Sequence, residues 1–147
     1  MEYHVRPMED RDIPYVSQIE KQIFSIPWSE KSFRDAANNP DNVYLVCECT
    51  GEIAGYCGMW TVMGEGNVTN VAVHPSYRRR GVAQAMLAEM EKRARDKSVT
   101  IFFLEVRQSN EAARHLYEKL GYSSIGTRKR FYERPVEDAI VMSKTTS

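Results

Sequence analysis

Val71-Ala-Val-His-Pro-Ser-Tyr-Arg-Arg-Arg-Gly-Val-Ala-Gln84 is the stretch from which the rest of the chain can be read. A short β-branched run reaches His74-Pro75, a basic loop follows, and Gly81 opens a long amphipathic segment. The pattern predicts a strand, a turn and a helix whose N-terminus emerges from Arg78, Arg79, Arg80 and Gly81. Backbone N–H groups at a helix start have no intrahelical partner, and the macrodipole favours negative charge there. The arginines add donors suited to phosphate. Their charge also opposes the dipole, at about 0.3–1 kcal/mol per charge before screening, a cost that a bound anion removes. The loop has neither GxxxxGK[ST] nor GxGxxG, which counts against a nucleoside-triphosphate enzyme or a nicotinamide enzyme.

On the C-terminal side, the helix is expected from Gly81 to about Asp96, with Ala83, Met86, Leu87, Met90 and Ala94 on its apolar face. Val99-Thr-Ile-Phe-Phe-Leu104 is apolar on both faces and reads as a central buried strand ending at Glu105. Residues 110–120 form the next helix, stopped by Gly121. Residues 122–125, 128–132 and 139–143 read as closing strands joined by a loop containing Pro135.

On the N-terminal side, residues 43–49 and 53–63 form a hairpin around Thr50-Gly51-Glu52. Gly64-Glu65-Gly66 is expected to turn the chain into a strand over residues 67–73. Residues 3–6 read as a first strand. The acids of residues 9–12 precede a helix carrying Ile13, Val16, Ile19 and Ile23, and Ser29 caps a second, shorter helix. The expected order, β-α-α-β-β-β-α-β-α-β-β, describes one α/β domain over residues 1–147. It has a mixed, mostly antiparallel sheet of about seven strands with helices on both faces.

Composition limits the partners. With 147 residues, 20 basic and 20 acidic side chains and a formal net charge of zero, the chain is not a general polyanion binder. Nucleic acid and membrane are therefore not expected partners, since no apolar run approaches the length of a span. Three cysteines, Cys47, Cys49 and Cys57, show no CxxC and no companion histidine cluster, so reduced thiols in a cytoplasmic protein and no metal are expected. A monomer or weak dimer is expected.

Three side chains remain as chemical candidates. Glu105 follows an apolar strand, where a partly desolvated carboxylate can serve as a general base. Taken alone it reads equally well as an edge carboxylate paired with Arg107 or another surface base. Tyr117 lies seven residues beyond Asn110, on the same helix face. A tyrosine on an apolar stripe is usually a core residue, and beside a thioester it is also an acid for a leaving thiolate. Ser109 and the cysteines lack the histidine–acid company of a nucleophile.

Together these features resemble the GNAT superfamily of acetyl-CoA-dependent N-acetyltransferases. Arg78-Arg-Arg-Gly-Val-Ala83 is similar to that family's (Q/R)xxGx(G/A) pyrophosphate loop. Asn110-Glu-Ala-Ala-Arg-His-Leu-Tyr-Glu-Lys-Leu-Gly-Tyr122 is similar to its NxxAxxLYxxxGF helix, with Tyr122 in place of Phe. Leu104-Glu-Val-Arg-Gln-Ser-Asn110, Pro27-Trp-Ser-Glu-Lys-Ser-Phe33 and Glu137-Asp-Ala139 resemble the subgroup that acetylates the N-terminal alanine of a small-subunit ribosomal protein. The resemblance implies acetyl-CoA as co-substrate, Glu105 as proton acceptor and Tyr117 as proton donor. It implies that Val71, Ala72, Val73, Arg79, Arg80, Gly81, Val82, Ala83, Gln84 and Asn110 hold the cofactor. Where some members carry Asn-Tyr-Tyr and a longer loop lining the peptide cleft, this chain has Arg130-Phe131-Tyr132 and a short Glu133-Arg-Pro-Val136 link. The competing expectations are a GNAT enzyme acting on a lysine side chain, polyamine or other small amine, and an acyl-CoA-binding module without catalysis.

Overall fold

The structure, a computed structural model, describes residues 2–146. Strand β1 (His4–Pro7) leads through a 3-10 turn into helices α1 (Ile13–Ile23) and α2 (Glu30–Ala37). Strands β2 (Val43–Cys49), β3 (Glu52–Val62) and β4 (Glu65–Val73) follow, then helix α3 (Val82–Asp96), strand β5 (Ile101–Arg107) and helix α4 (Glu111–Lys119). Strands β6 (Ser123–Tyr132) and β7 (Glu137–Thr145) close the chain. All seven form one sheet in the order β1-β2-β3-β4-β5-β7-β6. Among the described residues only β4 and β5 pair in parallel, across the α3 crossover; the other neighbours are antiparallel.

Alternation along the strands divides the core. Leu45, Cys57, Met59, Phe102 and Leu104 pack with Met86, Met90 and Tyr117 on the α3/α4 face. Tyr44, Val46, Tyr56 and Ala72 pack with Ile13, Val16 and Phe33 on the α1/α2 face. Cys47, Cys49 and Cys57 are free and buried within the first of these clusters. Among the described residues, no helix is long and apolar enough to cross a membrane.

The helix starts follow local chemistry. Asp12 accepts from the Glu9 N–H at 2.8 Å, and its carboxylate receives both Arg6 Nη atoms at 2.7 and 2.8 Å. The Ser29 hydroxyl accepts from the Ser32 N–H at 3.1 Å, capping α2 as its position suggests.

Two sequence expectations are corrected. The turn before β4 is at Met63 and Gly64, both left-handed (φ 49° and 84°), and Gly66 is already inside the strand. A Cβ on Gly66 would lie 2.6 Å from Met59 Sδ, so glycine is there to admit neighbouring side chains. Strand β5 is not buried on both faces: Phe102, Leu104 and Val106 are buried, whereas Ile101, Phe103, Glu105 and Arg107 are half-buried. The half-buried residues lie on the face opposite the α3/α4 core.

Candidate active site

Strands β4 and β5 are joined only over Glu65–Ile101, Gly66–Phe102 and Asn67–Phe103. Beyond Asn67 the two strands part, while β4 stays paired with β3 as far as Val73. The β5-facing edge of residues 68–73 therefore has no ladder partner. Unpaired strand N–H and C=O groups are available to an extended ligand, as at any open sheet edge. A bulge marks the point of divergence: Gly58 pairs with Asn70 and Met59 with Val68, leaving Thr69 as the extra residue. The Thr69 hydroxyl is 2.8 Å from the Tyr44 hydroxyl.

At the end of β4 the loop is braced on itself. The His74 N–H donates to Ala54 O at 2.8 Å, His74 Nδ1 accepts from the Ser76 N–H, and the Tyr77 hydroxyl donates to Glu52 at 2.6 Å. Arg78 Nε donates to Val73 O at 3.2 Å, and the Arg80 guanidinium stands 5.9 Å from the Tyr77 ring centroid. Arg79 (φ 63°) and Gly81 (φ 78°) are left-handed on either side of Arg80, a turn geometry in which successive backbone N–H groups converge. Gly81 is the N-cap of α3 and supplies no side-chain cap. The first-turn N–H groups, including those of Val82, Ala83 and Gln84, thus face an exposed basic loop, as the sequence indicated.

Glu105, two residues beyond the last β4–β5 pair, and Tyr117 belong to opposite faces of the sheet. Glu105 alternates with Leu104 and Val106, which belong to the α3/α4 core, so it lies on the α1/α2 face. Tyr117 belongs to the α3/α4 core itself, 8% exposed, with Tyr122 edge-on at 5.9 Å. No hydrogen bond joins the two among the described residues. Burial first, then the Tyr132 phenol, raises Tyr117 above the ordinary tyrosine range.

Glu105 is 27% exposed and paired with Arg128 of β6 at 3.6 Å, not with Arg107. Arg107 instead bonds the carbonyls of Pro135 and Glu133, both at 3.0 Å, and Glu137 at 3.2 Å, fixing the β6–β7 loop. Glu137 also accepts from the Ser109 N–H at 2.6 Å. The Tyr132 ring lies 4.5 Å from the Arg107 guanidinium. Burial, then the Glu105 charge, pushes the Tyr132 phenol up to about 12. Tyr132 is thus within electrostatic reach of both Glu105 and Tyr117. Asn110 caps α4, its side chain accepting from the Ala113 N–H at 3.1 Å. Sequence reasoning missed Arg128 and the Arg107–Glu137 tie, because β7 inserts between β5 and β6 and no local pattern shows that.

The site combines an open strand edge, a basic helix N-terminus, a carboxylate on one face and a protonated phenol on the other. The sequence profile of the acetyltransferase (GNAT) family matches residues 13–122. The chain belongs to this family of acetyl-CoA-dependent N-acetyltransferases. Across 95% of both sequences it is 35% identical to the [ribosomal protein bS18]-alanine N-acetyltransferase of Escherichia coli (strain K12). A Bacillus subtilis (strain 168) protein, whose name carries the same activity provisionally, is 39% identical over 94% of this chain and 92% of its own length. The crystal structure of the Escherichia coli ribosomal-protein-S18-alanine N-acetyltransferase superposes with a TM-score of 0.91 at 31% identity, over 99% of this chain and 95% of that one.

Proposed function

We propose that the whole chain acts as one catalytic domain that transfers acetyl from acetyl-CoA to the α-amino group of an N-terminal alanine on a small-subunit ribosomal protein. The observation that carries this reading is the end-to-end likeness to enzymes named for that activity, at 35–39% identity. The position of Glu105 just beyond the last β4–β5 pair, with Tyr117 on the opposite face of the sheet, supports it.

In this reading the pyrophosphate of CoA lies against the backbone N–H groups and arginines of Arg79, Arg80, Gly81, Val82, Ala83 and Gln84. The pantetheine arm runs along the unpaired edge of Val71, Ala72 and Val73, and Asn110 flanks it. The donor occupies the α3/α4 side and the amine arrives from the α1/α2 side, so the two reactants meet through the opening. An α-amine with a pKa of about 7.7–8.0 is largely protonated at neutral pH and does not attack until it loses a proton. Glu105 takes that proton, directly or through a water. The nitrogen lone pair adds to the thioester carbon, strand N–H groups stabilise the oxyanion, and the C–S bond then breaks with its electron pair on sulfur. Tyr117 is protonated at neutral pH, as an ordinary phenol is, and burial raises it further, so it hydrogen-bonds the developing thiolate and supplies its proton. As the carbonyl re-forms, the nitrogen gives up its second proton, which passes through solvent to restore the one Tyr117 has lost; the products are an amide and free CoA, with no acyl-enzyme.

The test is mass spectrometry of ribosomal-protein N-termini from cells lacking the chain. Loss of acetyl from one alanine-initiated small-subunit protein is the expected result. An unchanged set of N-termini would contradict the proposal.

A further inference from the structure

Asn70 is a buried polar residue that no step above uses. It is 6% exposed, and its amide oxygen has no hydrogen-bond partner among the described residues. A buried acceptor left unpaired is destabilising, and a β-branched apolar residue suits a strand better. Folding alone gives no reason for an amide at this position.

Its position does. Asn70 is two residues from Ala72, which packs in the α1/α2 core, so it shares that face of the sheet with Glu105. The last residues paired across β4 and β5 are Asn67 and Phe103. Glu105 is two residues beyond Phe103. Asn70 is three beyond Asn67, one of which is the bulged Thr69. With the bulge allowed for, Asn70 and Glu105 stand level on the two sides of the opening, on the face from which the amine enters.

We infer that Asn70 positions the acceptor: its amide oxygen accepts an N–H of the incoming α-amine. The inference rests on the proposed function, which puts the amine on this face. A carbonyl oxygen accepts a hydrogen bond but not a proton at neutral pH, so it complements Glu105 without replacing it. Once Glu105 has removed one proton, the neutral amine keeps two N–H groups and one lone pair. Holding one N–H on Asn70 restricts the direction of that lone pair toward the thioester carbon. The terminal torsion of asparagine is broad, so the oxygen turns to meet the donor at little cost.

The experiment compares wild type, Asn70→Val and Asn70→Thr, which has the shape of the valine variant and restores an oxygen acceptor. Thermal unfolding is measured together with KM for an alanine-initiated peptide and for acetyl-CoA. For Asn70→Val the unfolding midpoint should be unchanged or higher. The peptide KM should rise about tenfold, the acetyl-CoA KM should stay within about twofold of wild type, and Asn70→Thr should recover part of the loss. A wild-type peptide KM in Asn70→Val would overturn the inference. So would a lowered unfolding midpoint with both KM values raised, or a variant that does not fold, because an unpaired amide cannot be what holds the strand. A wild-type enzyme inactive on the peptide but active on another amine would refute the proposed acceptor alone. The ratio of variant to wild type on that amine would then decide the role of Asn70.

Discussion

Glu20 offers a quantitative test of how the α1–α2 segment is held. It is 3% exposed on α1. Its two carboxylate oxygens accept from the Tyr56 hydroxyl at 2.6 Å and from the Trp28 N–H at 3.0 Å. Tyr56 belongs to β3 and is fully buried, so the carboxylate bridges the sheet and the link between the first two helices. Glu20→Ala removes the acceptor of both donors. Each orphaned group costs about 1–3 kcal/mol, and relief from burying a carboxylate offsets part of the sum. The net loss expected is about 2–4 kcal/mol, or roughly 5–15 °C in Tm for a chain of this size. Glu20→Gln keeps the shape: its amide oxygen can accept from Trp28 while its NH2 donates to the Tyr56 oxygen, so about 0.5–1.5 kcal/mol should be lost. Urea titration with an unchanged m value reads both numbers. The Trp28 and Trp60 rings lie tilted with centroids 6.3 Å apart, so tryptophan fluorescence should shift in the alanine variant. An alanine variant within about 1 kcal/mol of wild type, or a glutamine variant as unstable as alanine, would refute the reasoning.

Tyr117→Phe should lower kcat by about 10²-fold with acetyl-CoA binding intact; unaltered turnover would remove the acid role. Glu105→Gln should lower kcat by roughly 10²–10⁴-fold at neutral pH, with the residual rate rising as pH passes the amine pKa. A variant whose pH–rate profile matches wild type would remove the base role. Gly81→Ala places a side chain at φ 78° in open space, so its effect is conformational. A stability loss of about 1–2 kcal/mol and weaker acetyl-CoA binding by calorimetry are expected. Burial tends to raise the Asp12 carboxyl, but the Arg6 and Glu9 hydrogen bonds outweigh it and hold the group below its ordinary value. A depressed folded-state pKa gives stabilisation that is complete above about 3.9 and is lost as pH falls through the folded value. Arg6→Ala should therefore destabilise at neutral pH by about 3–5 kcal/mol, with a smaller deficit in acid, as urea titrations across that range would show.

The unit from β4 through the basic loop to α3 was legible because each part is local: β-branched residues, a turn, arginines, glycine and a helical stripe. The cap at Ser29 was legible for the same reason. Features that depend on pairing between distant strands were hidden. Glu105 reads as the end of a buried strand, yet it stands inside β5, because the ladder with β7 carries that strand on to Arg107. Gly66 reads as a turn former, and only the Met59 and Phe102 side chains packed over it explain a glycine inside a strand. Arg128 reaches Glu105 from β6 across the intervening β7, a pairing of distant strands that no local pattern shows. The motif likeness named Glu105 and Tyr117 together, but only the fold separates them onto opposite faces. Asn70 carries no motif at all, and its unpaired amide is visible only once burial is known.

The central claim is transfer of acetyl to an α-amine. Purified protein, acetyl-CoA and an alanine-initiated ribosomal-protein peptide, with the same peptide blocked at its α-amine as a control, test it most directly by mass spectrometry. One acetyl group on the free α-amine and none on the blocked peptide is the predicted result. Acetyl on a lysine side chain of either peptide, or none on the free peptide, would contradict it.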